Sequence, residues 1–320
     1  MNVVVTGGAG FVGSHLCDAL LEGGHSVTCL DNYLTGSPAN VAHLLEHPRF
    51  TAVEHDVVQP YDGPGSEAVD AVLHLASPAS PVGYRTYSIE TLLVNSAGTV
   101  NMLRLATERG ARLLLASTSE VYGDPLVHPQ NEEYWGNVNP HGLRACYDES
   151  KRFAEAATME WIRKYDVDAR IIRIFNTYGP RNDLKDGRVV PNFITQALRG
   201  EPITIYGEGS QTRSFQYVSD LVDGMLKATF TDGTKGEVFN LGNPVESTIE
   251  EFARQVLQAT GSTSRLEYRP LQFTDDPSRR RPDIEKARTA LGWEPRVPLA
   301  EGLATTVAWY RTQMQPPAGN

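Results

Sequence analysis

A glycine-rich turn directly after an apolar run is the feature that most constrains how this chain can fold. The β-branched run Asn2–Thr6 opens into Gly7, Gly10 and Gly13, and a helix-like pattern follows over residues 14–21. Glycines let the backbone turn tightly and approach a pyrophosphate, whose charge the amide-rich start of the helix stabilises. The spacing is GxxGxxG rather than GxGxxG, so the prediction of a dinucleotide site rests on the flanking strand and helix as well.

An acidic residue at the end of the second predicted strand points to the kind of dinucleotide. Residues 26–30 form the strand pattern, and Asp31 follows it, 18 positions after Gly13. An acid at about this distance accepts hydrogen bonds from the adenosine ribose and would repel the 2′-phosphate of NADP. The turn, the helix and the acid together favour an NAD site over a glycine-rich turn in an α/β protein without a cofactor.

Strand and helix patterns alternate through the first half of the chain, which predicts an α/β fold of the Rossmann type with a doubly wound parallel sheet. Residues just past the carboxyl ends of such strands face one crevice, so we expect Asp31, Asp56, Ala76 and Ser117 to line it. The predicted elements are helices over 38–46, 88–108 and 147–165, and strands over 50–55, 71–75, 113–116 and 169–175.

The regular alternation breaks after residue 176, where loops rich in Gly, Pro and Arg separate short helices such as 193–199 and 249–260. This pattern of loops and short helices predicts a smaller C-terminal α/β domain that binds substrate. A helix over 220–228 and a strand over 238–241 are expected to return to the first domain. The expected division is 1–176 plus 215–244 for NAD, 177–214 plus 245–314 for substrate, and 315–320 as a disordered tail.

Tyr147 and Lys151 lie four residues apart in a predicted helix, so their side chains share one face. A nearby cation lowers the pKa of a tyrosine from its usual value of about 10, and such a tyrosine can accept a proton from an alcohol. The pattern YxxxK is also a frequent accident on helix surfaces. The catalytic interpretation therefore depends on a nicotinamide cofactor nearby.

Charge and cysteine content exclude several classes of function. The formal charge of −10 argues against nucleic acid as a partner, and the one basic run, residues 279–281, fits a surface turn or a single anionic ligand. Three cysteines without CxxC spacing predict reduced thiols and no metal site. A first strand at Asn2 leaves no room for a signal peptide, and no apolar run is long enough to span a membrane, so we expect a cytoplasmic protein.

The chain resembles the extended short-chain dehydrogenase/reductase family, and within it the UDP-glucuronate decarboxylases, from Asn2 to about Arg311. The general signature is the glycine turn with Tyr147 and Lys151. The more specific stretches are residues 74–81, 118–125, 144–151, 173–181, 211–220 and 280–284.

The resemblance implies that NAD-dependent oxidation at C4 of UDP-glucuronate precedes loss of carbon dioxide and re-reduction to UDP-xylose. Oxidation creates a β-keto acid, and the ketone then accepts the electrons that decarboxylation releases. A nucleotide-sugar 4-epimerase or 4,6-dehydratase would begin with the same oxidation. A non-catalytic NAD-binding regulator is a further alternative, although the complete set of Thr118, Tyr147 and Lys151 argues against it.

The resemblance also assigns roles to individual residues. Tyr147 would be the base for the C4 hydroxyl, Lys151 would tune it and hold the nicotinamide ribose, and Thr118 would hydrogen-bond the C4 oxygen. Ser119 and Glu120 stand where related dehydratases carry an Asp-Glu pair, and a serine cannot be the strong acid that elimination of water needs. Glu120 is expected to be a general acid/base, a group that discourages a bound carboxylate, or a structural loop carboxylate. Arg280 would protonate C5 or grip the sugar acid.

The remaining assignments from the resemblance concern binding. The NAD residues would be Gly7, Gly10, Phe11, Val12, Gly13, Asp31, Asn32, Thr35, Gly36, Asp56, Val57, Leu75, Ala76, Ser77, Ser117, Tyr147 and Lys151. The substrate residues would be Arg85, Asn101, Asn176, Arg181, Val190, Asn192, Tyr206, Gln211, Arg213, Tyr217 and Arg280. Helices over 88–108 and 147–165 would pair two subunits through a four-helix interface, which predicts a homodimer.

One position departs from the family pattern. Leu93 stands where the family commonly has a lysine, within the stretch 91–95. If that lysine neutralises the substrate carboxylate, its replacement would slow turnover or shift the substrate. Arg85 is the nearby cation expected to compensate.

Overall fold

The computed structural model describes residues 1–63, 65, 68–270 and 279–315 of the chain. The strands are β1 Asn2–Thr6, β2 Ser26–Asp31, β3 Phe50–Glu54, β4 Ala71–His74, β5 Arg112–Thr118, β6 Ala169–Ile174, β7 Thr177–Tyr178, β8 Ile203–Tyr206, β9 Thr212–Ser214, β10 Gln216–Tyr217, β11 Val238–Leu241, β12 Glu246–Thr248, β13 Leu266–Arg269 and β14 Arg279–Arg280. The helices are α1 Phe11–Glu22, α2 Pro81–Thr86, α3 Ser88–Leu93, α4 Thr99–Arg109, α5 Ala145–Tyr165, α6 Val189–Arg199, α7 Val218–Phe230, α8 Ile249–Thr260, α9 Glu285–Leu291 and α10 Leu299–Met314.

A seven-stranded sheet in the order β3-β2-β1-β4-β5-β6-β11 forms the centre of the molecule. Every neighbouring pair in it is parallel. The chain builds outward from β1 to β3 and then restarts at β4 on the other side of β1. A ligand crevice forms at such a switch point, outside the carboxyl ends of the strands. The predicted Rossmann-type doubly wound fold is confirmed.

Apolar side chains cover both faces of this sheet because its strands are short runs of Val, Ile and Leu. One core includes Leu16, Leu20, Leu221 and Met225 of α1 and α7. The core on the other face includes Met102 and Leu103 of α4 together with Ala154 and Ala157 of α5. The sheet is therefore enclosed by helices, and its strand ends remain the place where polar groups can meet.

A third core lies within the C-terminal region. It joins Phe193 and Ile194 of α6 to Phe252 and Val256 of α8 and to Val307 of α10. Residues 284–293 do not belong to this third core. Their apolar side chains, those of Ile284, Ala287, Leu291 and Trp293, pack into the core that holds α1 and α7. This segment lies in the sequence range expected for the second domain, but its apolar side chains are buried against the first core.

Most of the predicted elements occur with boundaries shifted by a few residues. The helix predicted over 38–46 is wrong, because two separate 3-10 turns, Pro38–Asn40 and Ala42–Leu44, occupy that stretch. The helix predicted over 88–108 consists of α3 and α4 joined by a π-helical turn, Val94–Gly98. The helix predicted over 193–199 begins earlier, at Val189. Of the expected disordered tail, residues 316–320 lie outside the described residues.

None of the helices in the described ranges has the length and hydropathy needed to cross a membrane. No group of three or more His, Cys, Asp or Glu side chains there is arranged to hold a metal ion.

Candidate functional site

A cleft of about 1770 Å³ opens at the carboxyl ends of β1, β2, β4 and β5. The glycine turn, α2 and the end of β5 line the part over the sheet, and residues 181–193 and 204–215 contribute to the part over the third core. Every residue that the sequence assigned to NAD lines this cleft. The cleft therefore joins the predicted cofactor residues to the C-terminal region.

The glycine turn is packed too tightly for larger residues. A Cβ on Gly13 would lie 2.1 Å from the carbonyl oxygen of Gly7, and Gly7 itself has a φ of +69°. A Cβ on Gly7 would also lie 2.9 Å from the backbone of Ala76 at the end of β4. These contacts bring bare main chain to the start of α1, which is the arrangement that admits a pyrophosphate.

Asp31 is buried at the end of β2 and holds the glycine turn in place. Its carboxylate accepts hydrogen bonds from the backbone N–H groups of Ala9 at 2.9 Å and Tyr33 at 2.8 Å. Burial raises the pKa of Asp31, while these two hydrogen bonds oppose that rise. An acid fixed in this position fits the ribose hydroxyls of NAD, and its charge disfavours a 2′-phosphate.

Tyr147 and Lys151 lie on one face of α5 and are both buried. The Lys151 Nζ lies 5.9 Å from the centre of the Tyr147 ring and donates a hydrogen bond to the carbonyl of Ala116 at 2.8 Å. Burial lowers the pKa of Lys151 to about 7. Burial also raises the pKa of Tyr147 to about 12, although a hydrogen bond with Thr118 opposes the rise. The expected lowering of the tyrosine pKa is absent from this structure because burial outweighs the charges that face the ring.

Glu120 is clamped by two arginines from distant parts of the chain. Arg280 donates through Nη1 to Oε1 at 2.5 Å and through Nη2 to Oε2 at 2.8 Å, and Arg144 also donates to Oε2. Burial alone would raise the pKa of Glu120, but the two guanidinium groups hold it at about 2. A carboxylate held ionised in this way is a poor proton donor near neutral pH.

Arg280 itself is buried, with only 6% of its surface exposed. The basic run at 279–281 was expected to be either a surface turn or a site for one anionic ligand. For Arg280 the surface turn is therefore wrong. Its short strand, β14, pairs with β9, which turns the side chain toward Glu120.

Two residues of the site were not found from the sequence. Arg188, immediately before α6, is held by Asp186 through Nε at 2.6 Å and Nη2 at 2.8 Å, and its charge tends to lower the pKa of Tyr147. Tyr84 of α2 stacks on the ring of Tyr147. Neither residue had a signal in the sequence, because no spacing relates positions 84 or 188 to position 147.

Most of the residues predicted for substrate lie along the cleft. Those that line it are Arg85, Asn176, Arg181, Val190, Asn192, Tyr206, Gln211, Arg213 and Arg280. Arg181 also pairs with Asp18 at 2.6 Å. Leu93 lines the cleft as well and is 45% exposed, so an apolar side chain stands where the family commonly has a lysine.

Asn101 and Tyr217 are the two predicted substrate residues that do not line the cleft. The Asn101 side chain donates to the carbonyl oxygens of Val57 at 3.0 Å and Val58 at 2.9 Å. Tyr217 packs edge-on against Tyr178, with ring centroids 5.5 Å apart. Asn101 therefore supports the loop after β3, and Tyr217 belongs to the packing beneath the cleft.

Comparison with known proteins agrees with this arrangement. The family model described as the NAD dependent epimerase/dehydratase family matches residues 3–242. Over 319 residues the chain is 54% identical to UDP-glucuronic acid decarboxylase 1 of Danio rerio, covering 100% of this chain and 75% of that protein.

Two solved structures share the architecture. UDP-glucose 4-epimerase of Thermotoga maritima, with UDP-glucose, has a TM-score of 0.89 at 29% identity, over 98% of this chain and 100% of that one. UDP-glucuronic acid 4-epimerase of Bacillus cereus, in complex with UDP-glucuronic acid and NAD, has a TM-score of 0.89 at 27% identity, over 98% of this chain and 100% of that one. With its cofactor cradle and paired Tyr147 and Lys151, this chain belongs to the NAD dependent epimerase/dehydratase family, among the extended short-chain dehydrogenases/reductases.

Proposed function

We propose that this chain catalyses the NAD-dependent decarboxylation of UDP-glucuronate to UDP-xylose. The relative from Danio rerio, named UDP-glucuronic acid decarboxylase 1, matches the whole chain at 54% identity. The enzyme is thus a carboxy-lyase that oxidises the sugar at C4, releases carbon dioxide and reduces the product again.

The observation that carries this proposal is the clamp on Glu120. A 4,6-dehydratase needs an acid that delivers a proton to the leaving hydroxyl. Here Ser119 precedes a glutamate whose pKa Arg280 and Arg144 hold at about 2, so neither residue fits that role. Decarboxylation needs no such acid, because carbon dioxide leaves as a neutral molecule and the electron pair of the broken bond passes to the C4 carbonyl.

The proton chemistry at C4 belongs to Tyr147 and Thr118. Their side chains are hydrogen-bonded to each other at the end of β5, so both fit around one sugar hydroxyl. Tyr147 takes the C4 proton, and Thr118 stabilises the charge that develops on the oxygen. NAD, held by the glycine turn and Asp31, would supply the hydride acceptor and the returning hydride. The positive charge of its oxidised ring, together with that of Arg188, would favour the phenolate of Tyr147 and so lower its pKa from about 12.

Oxidation at C4 makes the carboxylate a β-keto acid. Loss of carbon dioxide then places an electron pair next to the new carbonyl, and the C4 oxygen accepts it as an enolate. Tyr147 and Thr118 already face that oxygen, so the groups that assist oxidation also stabilise the enolate. A proton must return to C5, and the cycle ends with reduction of the ketone at C4.

The UDP part of the substrate fits the part of the cleft over the third core. Arg181 and Arg213 line it with guanidinium forks suited to a diphosphate, and Val190 and Tyr206 offer an apolar and an aromatic surface to the uracil. Asn176, Asn192 and Gln211 complete this proposed subsite, while Arg85 is the cation that we assign to the sugar carboxylate.

Two helices carry the surface that we propose for a homodimer. Ile89 on α3 is 61% exposed and Leu92 is 39% exposed, while Phe153 on the adjoining α5 is 48% exposed. Apolar residues clustered on neighbouring helices fit a face that a second copy covers through a four-helix interface. The three cysteines are free, which fits a reducing compartment, and we propose that the protein works in the cytoplasm.

The sheet and the third core support the proposed division into an NAD-binding and a substrate-binding domain. Residues 1–176 plus 215–244 hold the sheet, and residues 177–214 plus 245–314 hold most of the third core. Residues 284–293 are the part of the second range that packs on the first core.

Incubation of the purified protein with UDP-glucuronate and NAD tests the proposed reaction. Chromatography of the products should give a UDP-pentose together with carbon dioxide. Formation of UDP-galacturonate would instead identify a 4-epimerase, and no conversion would support a regulator. UDP-glucose serves as the control substrate, since it has no carboxylate to lose.

A further inference from the structure

Gln130 is a fully buried polar residue in the long loop that follows the Glu120 turn. Its backbone N–H donates to the carbonyl of Arg281 at 2.9 Å, and its carbonyl accepts from the N–H of Asp283 at 2.7 Å. Its side-chain Oε1 accepts from the N–H of Arg281 at 2.9 Å, and Nε2 donates to the carbonyl of Val127 at 2.7 Å. Gln130 therefore binds both the N–H and the C=O of Arg281.

This contact connects the two chain segments that form the Glu120 clamp. Glu120 lies in the turn Ser119–Tyr122, which leads directly into the loop that carries Gln130. Arg280 directly precedes Arg281 and pairs through its backbone with Arg213 of β9. The main chain at Arg280 is thus held by β9 on one side and by Gln130 just after it.

The clamp depends closely on the position of this main chain. Arg280 reaches Glu120 with two parallel contacts of 2.5 and 2.8 Å, and such a fork fits only in one orientation. A displacement of about 1 Å at the backbone would break at least one of the two hydrogen bonds, because hydrogen bonds weaken steeply outside their normal geometry.

We propose that Gln130 is a positioning residue. By holding the main chain of Arg281, it keeps the guanidinium group of Arg280 placed for both hydrogen bonds to Glu120. The inference rests on the proposed function, in which the clamped Glu120 takes part in decarboxylation. It adds a residue that does not itself line the cleft. An amide of this length is needed because it offers an acceptor to the N–H of Arg281 and a donor to the carbonyl of Val127 at the same time.

Substitution by methionine separates the side-chain contacts from the backbone contacts. Gln130→Met keeps the apolar stem and both backbone hydrogen bonds to residues 281 and 283, so the loop still has its main anchor. It removes the acceptor for Arg281. Gln130→Glu retains that acceptor, and a carboxyl group that burial keeps protonated also retains the donor to Val127. Asn137→Ala is a matched control, because the Asn137 side chain donates to the carbonyl of Asp124 at 3.1 Å, away from Arg281.

The first measurement is hydrogen exchange at the Arg281 amide, which requires no turnover. Exchange should become at least about tenfold faster in Gln130→Met than in the wild type, since an amide that loses its acceptor opens more readily. Asn137→Ala should exchange at the wild-type rate. Equal protection of Arg281 in Gln130→Met and the wild type would overturn the proposed contact.

The second measurement is a double-mutant cycle on kcat with Arg280→Lys, which keeps the charge and removes the fork. Gln130→Met should lower kcat about tenfold in the wild-type background and less than about twofold in the Arg280→Lys background. The effects of the two substitutions are not additive when one residue acts through the other. Gln130→Glu should recover most of the lost kcat. Additive effects, or a kcat unchanged by Gln130→Met, would overturn the positioning role.

The two measurements also separate this inference from the proposed reaction. A wild-type protein that leaves UDP-glucuronate unchanged would refute the reaction and with it the positioning role, while the exchange rate would still decide whether Gln130 holds Arg281. A wild-type protein that forms UDP-xylose, with additive effects in the cycle, would refute the positioning role alone.

Discussion

Tyr84 stacks on Tyr147, with ring centroids 5.2 Å apart and ring planes inclined by 10°. Tyr84 lies in α2 and is buried, and the thiol of Cys146 donates to its carbonyl at 3.5 Å. The ring of the proposed base is therefore supported by a second aromatic ring from another helix. This support fixes the direction of the Tyr147 hydroxyl toward Thr118 and the cleft.

Removal of the stacked ring should slow catalysis without preventing cofactor binding. Aromatic pairs contribute about 1 kcal/mol beyond buried area, so Tyr84→Leu should lower kcat by about fivefold if the stack orients the base. Tyr84→Phe keeps the ring and should stay close to the wild type. Steady-state kinetics of both variants, with the content of bound NAD as a check on folding, measures the effect. Equal losses in the Phe and Leu variants would assign the role to the hydroxyl instead.

The apolar side chain at position 93 should weaken the binding of the sugar acid. Leu93→Lys places a cation in the cleft, and a partly exposed ion pair is worth about 1 kcal/mol, which predicts about a fivefold lower KM for UDP-glucuronate. The affinity for UDP-xylose should not change, because it lacks the carboxylate. Leu93→Gln is the uncharged control. A lysine variant that binds both nucleotides more tightly would show that the gain does not come from the carboxylate.

Asp148 should make stability depend on pH. Its Oδ1 is buried without a hydrogen-bond partner among the described residues, and burial together with the charge of Glu120 raises its pKa from 3.8 to about 7. The folded state then binds the proton more tightly than the unfolded state, so stability falls as the pH rises from about 3.8 to about 7. That difference in pKa corresponds to roughly 4 kcal/mol.

The matching substitution is Asp148→Asn, which removes the ionisation. Denaturant unfolding should show that the variant gains roughly 2–4 kcal/mol relative to the wild type between pH 4 and pH 8. Glu149→Gln is the control, since Glu149 lies in the same helical turn but pairs with Arg152 at 3.5 Å on the surface. A stability difference between Asp148→Asn and the wild type that is the same at both pH values would contradict the assignment.

Tyr147→Phe should abolish turnover, because the phenyl ring cannot accept the C4 proton. General base catalysis contributes about 10²–10⁴-fold, and kcat should fall by at least the middle of that range. The variant should retain NAD, which can be quantified after denaturation of the purified protein. Undiminished turnover would remove Tyr147 from the role of base.

The sheet was predictable because local patterns determine it. Runs such as Val3–Val5 and Leu113–Leu115 bury both faces, and the glycine turn after β1 leaves few alternatives to a parallel α/β arrangement. The helix predicted over 38–46 is wrong because the stretch lacks a continuous apolar face. Of its residues only Val41 and Leu44 are buried, and Leu45 is 58% exposed, so little burial would stabilise a longer helix.

The candidate site was only partly predictable because its contacts connect distant positions. The sequence named Glu120 and Arg280 separately through the family resemblance, yet nothing in their spacing indicated a two-point clamp across 160 residues. The stack of Tyr84 on Tyr147 and the contact of Gln130 with Arg281 had no signal at all. Asn101 and Tyr217 were assigned to substrate, and their side chains turn instead toward a loop and a neighbouring ring.

The measurement that tests the proposed reaction most directly follows the C6 carbon. Purified protein is given UDP-glucuronate labelled with carbon-13 at C6, and labelled carbon dioxide and UDP-xylose are quantified together with free NADH. The proposed reaction predicts equal amounts of carbon dioxide and UDP-xylose and no net accumulation of NADH. Retention of the label in a UDP-hexuronate, with UDP-galacturonate as the product, would contradict it.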